Sequence, residues 1–326
     1  MGDSQSARKD SLIKISFRVI MLPYKYSQLP NERLTYEEAL KMCKPERKNV
    51  KGKRIKMGQL KLFYAELLFL TKYAMPGDKV LYIGAAPGYH TNKMAELFPK
   101  ITFDLYDKTR FDIHKRYTYS KQITLFNQYF TDETVRKYQN SNQRILLMCD
   151  LRNLDIGELQ KIDDHESMDI LVSDDMLMQM RWCKMIKPAQ SLLKFRLPYG
   201  IERTRYLTGT IYLQAYNRIS TEARLCTNDY ESTIAYDNKL FDEKLAYLNG
   251  KIRCGGVRYP KWEKITSKYK IENNWDNCLA LKIIYNYQKK YNKDKPTIDS
   301  VGKMFIDVIE FHKNRYGVKY DVVFEK

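Results

Sequence analysis

The stretch that decides the fold reads Leu81-Tyr82-Ile83-Gly84-Ala85-Ala86-Pro87-Gly88. Apolar residues predict a strand over 79–83 before this turn, and helical spacing predicts a helix over 89–97 after it. The turn is not the G-x-G-x-x-G of a dinucleotide site, and no G-K-[ST] follows as in a phosphate loop. It suits a ligand without a pyrophosphate, such as S-adenosylmethionine, whose carboxylate fits helix-terminal amides. The plainer interpretation is a strand–helix turn that needs glycine only for a positive φ.

Strands and helices alternate around this turn. The patterns predict strands over 79–83, 101–106, 122–126, 144–149 and 191–195, and helices over 59–74, 89–97, 131–138 and 174–186. This alternation predicts an α/β fold with a doubly wound, mostly parallel sheet and added N- and C-terminal segments. With S-adenosylmethionine as the ligand of the turn, we expect a Rossmann-like methyltransferase. Ligands of such sheets bind at the carboxyl ends of the strands, where Gly84, Asp107 and Asp150 fall. Asp107, about 20 residues after the turn, is expected to accept both ribose hydroxyls of the cofactor.

The chain divides into three predicted parts. They are a basic lead-in over 1–56, a methyltransferase core over 57–250, and a helical extension over 251–326 that packs on the core, with helices over 241–249, 275–291 and 298–315 spanning the end of the core and the extension. Within 44–56, seven of thirteen residues are Lys or Arg. That segment is either an RNA contact or a solvated loop, and the sequence leaves both open.

Composition narrows the class of protein. The net charge is +18, from 57 basic and 39 acidic residues, which predicts an anionic partner such as nucleic acid or a membrane surface. The hydrophobic fraction of 44% excludes disorder throughout. No apolar run approaches 18 residues, so no membrane span is expected. The six cysteines and four histidines are scattered, which predicts neither a zinc site nor a disulfide framework and fits an intracellular, reducing compartment.

Four charged residues occupy positions that suggest catalysis. They are Lys61, Asp150, Lys194 and Glu222. Lys194 lies inside an apolar strand, where burying an unpaired ammonium is costly, so it either reaches the sheet edge or points into the cleft beside Asp150. Attack of a ribose 2′-hydroxyl on a sulfonium methyl needs in-line geometry and loss of a proton. A lysine can assist if its pKa is lowered by desolvation or by a second ammonium, whereas carboxylates raise that pKa, so coupled titration is expected.

Six blocks of sequence together match one protein family. The blocks are 57–67 (beginning Met57-Gly58-Gln59-Leu60-Lys61), 82–90, 145–152, 188–199, 220–225 and, more weakly, 241–249. They resemble the poxvirus-type cap-specific mRNA 2′-O-methyltransferases, which are also the small regulatory subunits of viral poly(A) polymerases. The likeness covers roughly 50–320, and the ordered Lys-Asp-Lys-Glu set is its specific signal.

The resemblance implies roles for matching residues. Lys61, Asp150, Lys194 and Glu222 match the family's catalytic tetrad, with Lys194 as the base or the steering group. The residues that match cofactor contacts are Gln59, Gly84, Ala85, Pro87, Gly88 and Asp107, with Phe130 and Leu151 at the adenine pocket.

The resemblance also implies a pocket for the 7-methylguanine cap. The cap is stacked between two aromatic rings, here Tyr36 and Tyr199, and read by an acid, here Asp242. Stacking suits this base because its positive charge strengthens the π contact. The sequence departs from the family pattern at Ile219, which replaces a third aromatic residue, at Ile201, which replaces a second acid and has Glu202 beside it, and at Thr109, which replaces an arginine.

A second aspartate competes for the catalytic position. Residues 169–174 read Asp-Ile-Leu-Val-Ser-Asp and resemble a motif of rRNA ribose methyltransferases, in which the final aspartate is catalytic. We favour Asp150 over Asp174, because the match continues through Arg152 and because Asp174 suits the start of a helix.

The resemblance implies a cap-specific mRNA 2′-O-methyltransferase that uses S-adenosylmethionine. Two alternatives stay open: an RNA-binding stimulatory subunit of a poly(A) polymerase, which can coexist with the enzyme, and an rRNA-type methyltransferase without cap specificity. The expected partners are capped mRNA and a poly(A) polymerase catalytic subunit, with no membrane and no metal. The expected source is a large DNA virus, and the expected location is the host cytoplasm, in the viral factory, or the virion.

Overall fold

The computed structural model describes residues 24–25, 34–42, 57–152, 165–217, 220–292 and 294–316. The basic segment 44–56 and Ile219 lie outside the described residues, so the expectations for them stay predictions.

Strands and helices alternate through the first two thirds of the described chain. The strands are β1 (Tyr24–Lys25), β2 (Lys79–Ile83), β3 (Thr102–Tyr106), β4 (Ile123–Phe126), β5 (Ile145–Cys149), β6 (Gln190–Phe195), β7 (Arg203–Leu207), β8 (Thr210–Tyr212), β9 (Ala223–Thr227) and β10 (Thr233–Asp237). The α-helices are α1 (Tyr36–Met42), α2 (Met57–Tyr73), α3 (Tyr89–Leu97), α4 (Lys115–Tyr119), α5 (Asp132–Gln139), α6 (His165–Ile186), α7 (Asn238–Tyr247), α8 (Glu263–Tyr269), α9 (Trp275–Tyr291) and α10 (Ile298–Tyr316). A π-helix (Leu248–Arg253) and a short 3₁₀-helix (Pro260–Trp262) join α7 to α8.

The central sheet has the strand order β1-β8-β9-β6-β5-β2-β3-β4. The strands from β6 to β4 in this order are parallel, whereas β9, β8 and β1 pair antiparallel at the other side. The parallel strands are apolar because helices cover the sheet, and every residue of β5 is buried. The predicted α/β, Rossmann-like fold with a mostly parallel sheet is confirmed.

The order of the strands reverses beside β2. The chain runs outward from β2 to β3 and β4 and then returns to β5 on the other side of β2. Ile83 pairs with Cys149 in register, so Gly84 and Asp150 follow at the same level of the sheet. Such a switch point leaves a crevice at the carboxyl ends of the strands, and this crevice is where the sheet places a ligand.

The segment around Asp174 differs from its prediction. Helix α6 begins at His165, so Asp174 is an exposed residue in the middle of a helix. The 169–174 run, compared above with a strand-end motif, is therefore helical and places Asp174 at no strand end. Asp169 is buried, and its carboxylate accepts hydrogen bonds from the backbone amides of Tyr199, at 2.8 Å, and of Gly200.

The C-terminal helices pack on the parallel sheet's helical layer. Helix α9 lies against α2, and the Tyr287 hydroxyl donates to the carbonyl of Leu97 at the end of α3. No helix among the described residues is long and apolar enough to cross a membrane.

One cysteine forms a disulfide bond, which the spacing of the cysteines did not predict. Four cysteines are buried free thiols, namely Cys149, Cys183, Cys226 and Cys278. Cys254, however, is disulfide-bonded. The scattered spacing gave no sign of this bond, because spacing reports local pairs and not contacts between distant segments.

Candidate active site

Lys61, Asp150, Lys194 and Glu222 converge at the switch-point crevice. Lys61 lies on α2, Asp150 follows β5, Lys194 lies in β6, and Glu222 precedes β9. The ammonium of Lys61 contacts Glu222 Oε1. Lys194 Nζ lies 3.0 Å from Asp150 Oδ1 and 3.8 Å from Glu222 Oε2. The structure therefore brings all four predicted residues into one charged cluster.

A fifth residue, Arg224, completes this cluster and was not singled out from the sequence. Its side chain is only 2% exposed, and its Nη2 lies 2.8 Å from Asp150 Oδ1 and 3.4 Å from Glu222 Oε1. Arg224 pairs directly with Lys194 across the antiparallel β6–β9 ladder, so both side chains leave the same face of the sheet. A charged residue inside the apolar strand 223–227 was the available signal, the same signal that identified Lys194.

The cations fix the charge state of the two carboxylates. Burial alone would raise the pKa of Glu222, but Lys61, Lys194 and Arg224 outweigh it and lower the pKa to about 2. The pKa of Asp150 is likewise held well below its ordinary value, since Arg224 and Lys194 outweigh the effect of burial. Burial lowers the pKa of Lys61, against the opposing charge of Glu222. The crevice thus holds two ionised carboxylates between buried cations.

The glycine turn lies beside this cluster. The amides of Gly84 and Ala85 both donate to the carbonyl of Tyr106, at 2.9 and 3.2 Å. Gly84 has a φ of +74°, and a Cβ there would lie 2.8 Å from the backbone of Asp150. Gly88, with a φ of +67°, is the N-cap residue of α3. Because glycine has no side chain, it makes no capping hydrogen bond to the first-turn amides of this helix. Pro87 accepts a hydrogen bond at its carbonyl from the amide of Asp112.

Asp107 faces the same turn. Its Oδ2 accepts from the Ala86 amide at 3.0 Å, and its Oδ1 accepts from the amide and hydroxyl of Thr109, at 2.9 and 2.7 Å. A carboxylate has about four acceptor positions, so one remains here, on Oδ2. The expectation that Asp107 binds both ribose hydroxyls therefore requires the Thr109 side chain to release Oδ1.

A buried hydrogen-bond chain supports Gln59. The His90 ring bridges Gln59 Oε1 and Glu66 Oε1, at 2.8 Å each, and the Tyr82 hydroxyl donates to Glu66 Oε1 at 2.7 Å. The chain joins α2 to the first turn of α3 and to β2, so it fixes Gln59 relative to the glycine turn. Sequence reasoning missed His90 and Glu66, because a lone histidine on a helix carries no spacing signal.

The two residues assigned to the adenine pocket lie in the segments that follow β4 and β5. Phe130 is buried, with its ring edge-on to Tyr106 and Trp182 at 5.0 Å each. Leu151 is half-buried and follows Asp150 directly.

Tyr199 and Asp242 lie on either side of Thr221. The Tyr199 ring is 50% exposed, its hydroxyl lies 2.8 Å from the Thr221 hydroxyl, and the guanidinium of Arg196 lies 5.0 Å from its centre. Asp242, on α7, also hydrogen-bonds with Thr221, and burial raises its pKa. Among the described residues, its Oδ1 finds no hydrogen-bond partner. Thr221 adjoins Glu222, so this exposed ring and half-buried acid border the charged cluster.

Further residues considered for the cap pocket are Tyr36, Ile201 and Glu202. Tyr36 begins α1, which packs against the Asp242-bearing helix α7. Ile201 and Glu202 are exposed, and the Glu202 carboxylate lies 3.9 Å from Arg203. The Glu202 side chain is thus exposed to solvent, and its role as a replacement for the missing acid stays a prediction.

Fold and site together define a Rossmann-like methyltransferase with a charged cluster beside its glycine turn. The model of the family described as "Poly A polymerase regulatory subunit" matches residues 23–311. The chain belongs to this family.

Relatives with curated names agree with this assignment. The chain is 29% identical over 221 residues to the cap-specific mRNA (nucleoside-2′-O-)-methyltransferase of Fowlpox virus (strain NVSL), covering 60% of this chain and 68% of that protein. It is 28% identical over 253 residues to the protein of the same name from Myxoma virus (strain Lausanne), covering 71% and 70%. Protein VP3 of a Rotavirus C isolate is 23% identical over 224 residues, covering 67% of this chain and 29% of VP3.

These relatives support a methyltransferase, and methyltransferases of this fold imply S-adenosylmethionine as the cofactor. The family description suggests a poly(A) polymerase partner. Within the described residues, no three His, Cys, Asp or Glu side chains form a group that could hold a metal ion.

Proposed function

We propose that this chain transfers a methyl group from S-adenosylmethionine to the ribose 2′-hydroxyl of the first transcribed nucleotide of capped RNA. The cluster of Lys61, Asp150, Lys194 and Glu222 beside the glycine turn is the observation that carries the proposal. A subunit that only binds RNA has no need of two buried ammonium groups held by ionised carboxylates, because burying such a set is costly.

The residues around the turn fit the cofactor. Gly84 lets the turn approach the end of β5, and the first-turn amides of α3 suit a carboxylate. Asp107 offers an acceptor to a ribose hydroxyl, and Gln59 is fixed at the crevice by His90. Phe130 and Leu151 supply apolar surface for adenine. S-adenosylmethionine would supply the electrophilic sulfonium methyl.

Lys194 is the group proposed to meet the acceptor hydroxyl. Its ammonium is held by Asp150 at 3.0 Å, so it is fixed before the substrate binds. As the ammonium it donates to the acceptor oxygen and orients it for in-line attack, and the hydroxyl proton leaves to solvent; as the neutral amine, after losing a proton to solvent, it is the base that takes the hydroxyl proton itself. The oxygen forms a bond to the methyl carbon while the carbon–sulfur bond breaks. Lys61 and Arg224 keep Glu222 and Asp150 ionised and in place.

Tyr199 and Asp242 are the proposed cap contacts. The exposed Tyr199 ring gives one stacking face, and the unpartnered carboxylate oxygen of Asp242, among the described residues, gives an acceptor for the guanine edge. Helix α1, which begins at Tyr36, lies on the same side as α7.

A second function in the same chain is supported by the family description. A regulatory subunit of a poly(A) polymerase must hold RNA near its partner, and a net charge of +18 favours binding to the phosphate backbone. This role needs no methyl transfer and can coexist with it.

The experiment is transfer of labelled methyl from S-adenosylmethionine to short RNAs that differ only in the cap. We expect transfer to 7-methylguanosine-capped RNA, with nuclease digestion mapping the label to the first transcribed nucleotide. Equal transfer to uncapped RNA would favour the rRNA-type alternative. RNA binding without any transfer would favour the regulatory subunit alone.

A further inference from the structure

The π-helix Leu248–Arg253 continues α7, packs against α1 and α9, and bonds through Asn249 to the carbonyl of Ser220. Such i→i+5 turns are uncommon and often occur at functional sites. We propose that this π-helix is a positioning element, in which Gly250 seats α1 for cap binding and Asn249 holds the segment 220–222 for catalysis. The inference rests on the proposed function and adds to it residues outside the charged cluster and the cap contacts.

Gly250 sets how closely α1 approaches. A Cβ on Gly250 would lie 2.8 Å from Leu34 Cδ2, 3.0 Å from Ala39 Cα and 3.2 Å from Ala39 Cβ. Ala39 is fully buried in this contact, and α1 packs against both α7 and the π-helix. Any side chain at position 250 therefore pushes α1 away from α7, which carries Asp242, and moves the helix that begins at Tyr36.

Asn249 acts on the other side. It is 1% exposed, and its Nδ2 donates to the carbonyl of Ser220 at 3.1 Å. The Ser220 hydroxyl in turn accepts from the Glu222 amide at 3.1 Å, and Asn217 Nδ2 donates to the Glu222 carbonyl at 2.5 Å. These contacts hold both Thr221, which touches Tyr199 and Asp242, and Glu222 of the charged cluster.

Arg253 anchors the π-helix to the rest of the molecule. Its Nη1 donates to Asn249 Oδ1 at 2.7 Å and its Nη2 to the Gln214 carbonyl at 2.8 Å. Its Nε lies 3.2 Å from Asp276 Oδ1, and its guanidinium lies 4.6 Å from the centre of the Trp275 ring. The π-helix is thus fixed to α9, so a cap bound at α1 and α7 has a defined distance to Lys194. Reactions of this kind lose rate steeply when reacting groups are displaced by about 1 Å.

The two residues predict different kinetic effects. Gly250→Val displaces only the cap side, so we expect the KM for capped RNA and the Kd of a 7-methylguanosine cap analogue each to rise about tenfold, with transfer to uncapped RNA within twofold of wild type. Asn249→Ala loosens Glu222, so we expect kcat to fall at least tenfold on capped and uncapped RNA, with unchanged affinity for S-adenosylmethionine.

The controls are a helical glycine without close neighbours and an asparagine whose side chain, like that of Asn249, bonds to the backbone. Gly58→Ala places a Cβ on a helical glycine that has nothing within 4 Å, and it should change neither constant. Asn273→Ala removes a half-buried side chain that bonds both backbone groups of Tyr259, and it reports the cost of a lost structural contact alone. Thermal melting of each variant checks that it is folded.

Each outcome decides the matter. The separated effects on cap affinity and on kcat support the inference. If cap affinity survives Gly250→Val, or if Asn249→Ala resembles Asn273→Ala in kcat, the inference is overturned while the proposed function stands. If the wild-type protein neither binds the cap analogue nor transfers methyl, the proposed function fails and the inference fails with it.

Discussion

Glu222 is the residue on which the charged cluster converges. Its two oxygens contact Lys61 on one side and face Lys194 and Arg152 on the other, at 3.8 and 3.6 Å. Its carboxylate is 7% exposed, so solvent screens these interactions weakly. The ionised form is the one that the folded protein favours.

This preference predicts a loss of stability in acid. The folded pKa of Glu222 is about 2, below the ordinary value of 4.5, so the folded state binds this proton less readily than the unfolded chain. The contribution is fully present above about pH 4.5 and is lost as the pH falls towards about 2.

The measurement is the free energy of unfolding by denaturant across this pH range, for wild type and Glu222→Gln. The wild-type slope with pH should be steeper, because the amide does not titrate. Identical slopes would contradict the assignment of Glu222 as a carboxylate held ionised by its neighbours.

Some single residues could be predicted from the sequence and others could not. Lys194 was identifiable because burying an unpaired ammonium inside an apolar strand is costly, which suggests a functional role. Arg224 in β9 is likewise a charged residue within an apolar run. His90 and Glu66 form a pair only because α2 and α3 lie side by side, which no local pattern records. The three hydrogen bonds that already occupy Asp107 likewise depend on the folded turn.

At the scale of elements, the β2–α3 turn has to come close to the end of β5. Gly84 and Gly77 both have a positive φ, of +74° and +88°, so alanine is strained at either position. Only at Gly84 does a Cβ meet other atoms, namely the backbone of Asp150 and Leu151 at 2.8 Å, whereas Gly77 has nothing within 4 Å.

These two glycines form a matched pair of variants. We expect Gly77→Ala and Gly84→Ala to share a conformational cost of about 1–2 kcal/mol in thermal or chemical unfolding. Gly84→Ala should also displace Asp150 and so reduce methyl transfer at least tenfold beyond Gly77→Ala. Equal activity in the two variants would show that the turn does not need this close approach.

Strands and helices with a clear periodic pattern of apolar residues were predicted well. The strand Lys79–Ile83 and the helices Tyr89–Leu97 and Trp275–Tyr291 have the predicted bounds, and Thr131 caps α5 as expected. Helix α6 was predicted short, because its first half contains the β-branched run beside Asp169 and tertiary contacts override that preference. Strands β7–β10 were not predicted. β7 and β10 are partly exposed and pair with each other, whereas β9 is buried throughout and pairs antiparallel with β6 and β8, outside the parallel series.

At the scale of the whole molecule, the proposal assigns general RNA binding to the basic composition and selection of the substrate to the crevice. The net charge of +18 favours any RNA through its phosphates, with affinity that falls as salt rises. In the proposed function, the crevice adds discrimination between RNAs through Tyr199, Asp242 and the charged cluster. The sequence indicated both features, but only the fold packs α1 against α7 and brings the charged cluster together.

The most direct test of the central claim compares wild type with Lys194→Ala in labelled methyl transfer to capped RNA, while calorimetry measures S-adenosylmethionine binding. The account predicts a loss of about 100- to 10,000-fold in turnover, with cofactor affinity unchanged, because Lys194 is assigned to the acceptor hydroxyl and the glycine turn with Asp107 to the cofactor. Turnover of Lys194→Ala within tenfold of wild type would contradict the claim that this cluster performs the transfer.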